Sequence, residues 1–143
     1  MVSVTKSEQN GSPCIGTEAL CRGRTPFASA YIYGETANGD INGYAELYYT
    51  PLGMLVKVGV SGLEDGVYSL SLGREGQIIL FLPPLYAKNG SAWCTALTGK
   101  ISASEILGTD INIIGYHEKE RTDIAYGVIQ SPLLKRFELM EAE

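Results

Sequence analysis

From Ala28 onward the chain is written in short runs of alternating apolar residues, each closed by glycine or proline. "MLVKVGV" puts Met54, Val56, Val58 and Val60 on one side and Lys57 on the other. A period of two belongs to a strand with one buried face. "VYSLSL" repeats it, with Tyr68, Leu70 and Leu72 inward and Ser69 and Ser71 outward. "INGYAELYY" sets Ala45, Leu47 and Tyr49 against Tyr44, Glu46 and Tyr48. "TPLG", "GLEDG" and "GREGQ" read as the turns between these runs. "ASAYIYG", "IILFL" stopped by Pro83-Pro84, "SAWCTALT", "INIIGY" and "TDIAYGVI" complete a set of about eight strands. Hairpin-like spacing of that kind predicts an all-β sandwich or barrel. "SASEILG" predicts one short helix, with Ser102 as its cap, Glu105 completing a capping box and Gly108 ending it.

The two ends lack this rhythm. Residues 1–26 carry the breakers "GSPC" and "RGRTPF" and no sustained period, which predicts an extended N-terminal arm, with at most a helical turn in "GTEAL". Residues 27–131 form the predicted sandwich, and 132–143 a short C-terminal tail. The arm holds Lys6, Arg22 and Arg24 against Glu8 and Glu18, while the whole chain is at −5. Those three cations are the arm's candidate contacts to an acidic partner, including a second copy of the same domain. The acidic balance argues against nucleic acid as a partner. No apolar run reaches the roughly 18 residues that cross a bilayer, so no membrane partner is expected. "MVSVTKSEQNGSPC" lacks the pattern of a secretory leader, and synthesis in the cytoplasm is the expectation. Cys14, Cys21 and Cys94 are then expected as reduced thiols. A Cys14–Cys21 bridge is the alternative, and a zinc site has less support because no C-x-x-C accompanies them.

Three segments carry a family resemblance. "AYIYGETANGDINGYAELYYTPLGMLVKVGVSGL", "LPPLYAKNGSAWCTALTGKISASEILGTDINI" and "DIAYGVI" resemble, in order, the framework of Cu/Zn superoxide dismutase-like domains of the short Gram-positive bacterial or phage type, over residues 28–130. The resemblance implies a Greek-key β-sandwich or flattened barrel of about eight strands. It also implies where a copper–zinc site would stand. The strand that supplies two copper ligands is "LSLG" here, so Ser71 and Gly73 occupy those positions. The long metal loop is cut to "REGQ". The ligands preceding "LPPL" fall on about Ile78 and Phe81, the last copper ligand near Ile114, and the closing half-cystine on Tyr126. The active-site arginine has no clear match. Neither a hydroxyl nor a hydrocarbon replaces imidazole on copper. The resemblance thus implies a fold whose cofactors are gone, and fold alone does not fix function.

No other chemistry stands out. His117 is the single histidine and reads as a loop residue, as do Glu118, Glu120 and Asp123 around it. Asp40, Glu46 and Glu64 are separate carboxylates with no argued pairing. There is no P-loop and no G-x-S-x-G. Trp93 with the tyrosines would make a sugar platform, but its place within a strand predicts a core residue. The expectation is a non-enzymatic structural module without cofactor, a phage virion protein serving as capsid decoration or tail component. Its partners would be a capsid or tail protein and further copies of itself, held through the arm and through an apolar wall of Ile78, Phe81 and Ile114. An intracellular protein- or glycan-binding module is the alternative, and a remnant metalloenzyme the weakest.

Overall fold

In the computed structural model the alternation resolves into an inner and an outer face of one continuous sheet. The structure describes residues 4–9, 23–36, 39–117 and 120–131, with backbone alone for 4–9, 116–117 and 120–122. The strands are β1 (Val4–Gln9), β2 (Ala28–Thr36), β3 (Gly39–Thr50), β4 (Gly53–Ser61), β5 (Gly66–Arg74), β6 (Gln77–Ala87), β7 (Ser91–Thr98), β8 (Asp110–His117) and β9 (Glu120–Val128). They pair antiparallel in the order β1-β7-β4-β3-β2-β9-β8-β5-β6. The β4–β5 and β7–β8 connections cross between non-neighbouring strands, which makes the order a Greek key. The result is an all-β flattened barrel of eight strands, β2 to β9, with β1 added beyond β7.

The core is what the alternation predicts. Met54, Val56, Val58 and Val60 are buried from β4, Leu70 and Leu72 from β5, and Ile111 and Ile113 from β8. They share one cluster with Ala45 and Leu47 of β3 and with Leu80, Leu82 and Leu85 of β6. Tyr49 departs from its predicted side. It is exposed, and its ring stacks on Phe27 at 4.0 Å. Its neighbour Tyr48 is buried with Leu55 and Leu97 in a small second cluster.

Two glycines set the tight corner of the barrel. A Cβ on Gly34 of β2 would run into the carbonyl of Ile124, and one on Gly127 of β9 into that of Tyr31. Only bare backbone lets β2 and β9 approach so closely.

Three local expectations are corrected. Pro83-Pro84 do not end β6, which runs on to Ala87. The register slips there, between Tyr68↔Leu85 and Leu70↔Leu82, so the prolines occupy a bulge on a terminal strand of the sheet, where a missing N–H is tolerated. The helix α1 (Ala103–Ile106) has Ser102 at its N-cap position, but no capping box forms. The Ser102 hydroxyl lies 3.1 Å from that of Ser104 and makes no cap bond. Gly108 follows the C-cap at φ 86, as predicted. The arm is also not wholly without strand, since Val4–Gln9 forms β1 on the edge of β7. "GTEAL" lies outside the described residues.

The carbonyls at the end of α1 are satisfied by one distant and one local side chain, as a helix end requires. Arg74 donates from Nη2 to Glu105 O (3.2 Å) and Leu107 O (3.0 Å), and Thr109 Oγ1 donates to Ile106 O (2.6 Å).

Candidate functional site: the seam and the outer wall

β6 and β7 stand next to each other across the nearly closed barrel but share no ladder. They are tied at one end by the Lys88–Ser91 bridge. Away from that end β1 lies along β7, with Lys6 opposite Leu97, Glu8 opposite Thr95 and Gln9 opposite Cys94, and it also touches β6. Further along, Arg74, Ile79, Leu80, Ile101 and Ile106 line a hollow of about 400 Å³ beside α1. The barrel therefore has a seam, and an N-terminal strand occupies part of it.

The predicted partner residues of the arm fare unequally. Lys6 is on β1, and only its backbone position is described. Arg22 lies outside the described residues. Arg24 is exposed and donates from Nη1 to Tyr49 O (3.3 Å). With the Phe27–Tyr49 stack and the bond from Phe27 N to Leu47 O (2.9 Å), it lays the last residues of the arm along β3.

The positions where the resemblance would place metal ligands share the outer face of β6, β5 and β8. Ser71 pairs with Phe81 on one side and Asn112 on the other, Ser69 with Ile114, and Gly73 with Ile78. Phe81 and Ile78 are exposed, at 54% and 39%, whereas Ser71 and Ile114 are buried at 1% and 2%. The Ser71 Oγ is buried without a hydrogen-bond partner among the described residues. At Gly73 a Cβ would stand 2.8 Å from the Gln77 carbonyl, so the short β5–β6 turn occupies the space where a side chain would start. That turn is a two-residue hairpin with Glu75 at φ 53 and Gly76 at φ 80, the conformation of a type I′ turn. These residues do not fit copper or zinc: they offer no imidazole, thiolate or carboxylate. Among the described residues no group of three His, Cys, Asp or Glu side chains converges anywhere.

Of the remaining candidates, Tyr126 is exposed at 62%, and His117 is on β8 with only its backbone described. Glu118 lies outside the described residues, Glu120 is described by backbone alone on β9, and Asp123 is exposed. Cys94 is buried and unbridged, and burial pushes its thiol up to about 12. Cys14 and Cys21 lie outside the described residues. No helix among the described residues is long and apolar enough to cross a membrane.

Trp93 is the main correction. It is half-buried and faces outward, because Ala92, Cys94 and Ala96 take the inward phase of β7. Across the sheet it stands in one row with Gly59, Tyr44 and Tyr31. The adjoining row is Ser91, Ser61, Asn42 and Tyr33. Together they line a shallow groove of about 790 Å³. The signal was present in the sequence: the small residues on either side of Trp93 already alternate with it.

Comparison with known protein families, with curated proteins and with solved structures found no match.

Proposed function

We propose that this chain is a non-enzymatic assembly module that joins its copies, or a neighbouring coat protein, through the seam of its barrel. The observation that carries this reading is the seat of β1. A strand from the far N-terminus, separated from β2 by residues 10–27, pairs along the outer edge of β7. Strand addition to an open edge is a general mode of protein–protein recognition, and exchange of a terminal element is an accessible route to oligomers. The Greek-key barrel is what the dismutase-like resemblance implies, and the former ligand wall has exchanged donors for Ile78, Phe81 and Ile114. Phe81 and Ile78 remain exposed there as a second contact. A phage virion, as capsid decoration or tail component, is the proposed setting.

The test is removal of residues 1–9 followed by measurement of mass in solution and of co-sedimentation with particles. The shortened chain is expected to stay folded and to lose association. Unchanged association would overturn the reading.

A further inference from the structure

We infer that the outer groove over β2, β3, β4 and β7 is a binding site for a neutral carbohydrate. The inference is independent of the seam and goes beyond the assembly reading. The groove has a bare floor. Gly59 sits in the middle of the aromatic row, and a Cβ built on it meets nothing within 4 Å. Trp93 rises on one side of this floor, and Tyr44 and Tyr31 on the other, their rings 5.1 Å apart and tilted by 56°. Tyr31 is 62% exposed and Tyr44 39%.

Neutral polar groups fill the adjoining row. The Ser61 hydroxyl donates to the Asn42 backbone carbonyl (3.3 Å), and the Asn42 side chain lines the groove beside it. Tyr33 donates its hydroxyl to Glu35 (3.0 Å), and this bond is the first cause of its raised pKa. The phenol therefore holds its proton more firmly than a free tyrosine does. Among the described residues no lysine or arginine lines the groove, and the row on its other side pairs Lys57 with Glu46, a cation with an anion.

This composition selects among occupants. β2, β3 and β4 are each paired on both sides, so the floor of the groove offers no open backbone edge for a peptide strand. Recognition falls to ring faces, hydroxyls and an amide. A nucleotide would stack, but its phosphate would meet Glu35 and Asp40, which pair beside Tyr33, on a chain at −5. A pyranose carries an apolar C–H face for the rings and hydroxyls for Asn42, Ser61 and Ser91. Apolar and aromatic surface beside a few placed polar groups is the usual composition of a small-molecule site.

Trp93 is the only tryptophan in the chain, so its fluorescence reports the site directly. The full-length protein is titrated with neutral hexasaccharides of glucose, mannose, galactose and N-acetylglucosamine, and separately with a proline-rich dodecapeptide. At least one sugar is expected to give a saturable shift at millimolar concentration or below. Gly59→Ile fills the open floor on a strand that accepts a β-branched residue, and should melt no lower than the parent while weakening binding at least tenfold. Tyr31→Ala should weaken it as well. No shift with any sugar, or a shift that survives Gly59→Ile, overturns the inference. A shift with the peptide alone also overturns it and identifies the groove as a peptide site.

Discussion

Ser71 and Ile114 face outward from adjacent strands and are nonetheless buried, while Phe81 beside Ser71 is not. Their substitutions should therefore separate. Ser71→Ala removes a buried hydroxyl that has no partner and should raise stability by about 1 kcal/mol, read as a higher melting temperature. Ile114→Asp places a charge in a closed site and should cost roughly 3 kcal/mol or more, whereas Phe81→Asp should change the isolated domain by no more than about 0.5 kcal/mol. Equal effects of the two aspartates would show that the wall is uniformly open or uniformly closed. Cys94 gives a pH signature. Its thiol is pushed from 9.0 up to about 12 in the fold by burial. The unfolded chain then ionises first, so the contribution is intact below pH 9 and declines as pH rises from 9 towards 12. The slope is at most about 1.4 kcal/mol per pH unit. Cys94→Ser should flatten that part of a denaturation series.

At the scale of elements, Arg74 links the β5–β6 hairpin to the end of α1. Arg74→Ala leaves two carbonyls without this donor and should cost about 1 kcal/mol by chemical denaturation. Lys should restore part of this, because a single nitrogen, Nη2, serves both oxygens and an ammonium also carries more than one donor, on a shorter side chain. The strands that were easiest to foresee are those with one wet face. β4 alternates Met54, Val56, Val58 and Val60, and burial demands that alternation. β1 was not legible, because "VTKSEQ" has no apolar period and is placed by its ladder with β7. The end of β6 was misjudged for a related reason: whether a proline breaks a strand depends on its place in the sheet, which a local pattern does not carry. The groove was half legible. Its residue types were visible, but setting Trp93 beside Gly59 and Tyr44 depends on the register of three strands.

For the whole molecule the consequence is a barrel with two separate outer surfaces. One is the seam with the wall of Phe81 and Ile78, and the other the aromatic groove on the face of β2, β3, β4 and β7. The seam carries the central claim, that β1 of one chain can complete β7 of another. Glu8 and Thr95 are opposite each other in that ladder, and directly opposed residues lie close enough for cysteines to bridge. In a background with Cys14 and Cys21 changed to serine, one chain would carry Glu8→Cys and a second Thr95→Cys. Mixed and oxidised, the two are predicted to give a covalent species of twice the chain mass. If the mixture stays at single-chain mass while a chain bearing both cysteines closes its own bridge, β1 belongs only to its own barrel and the assembly reading fails.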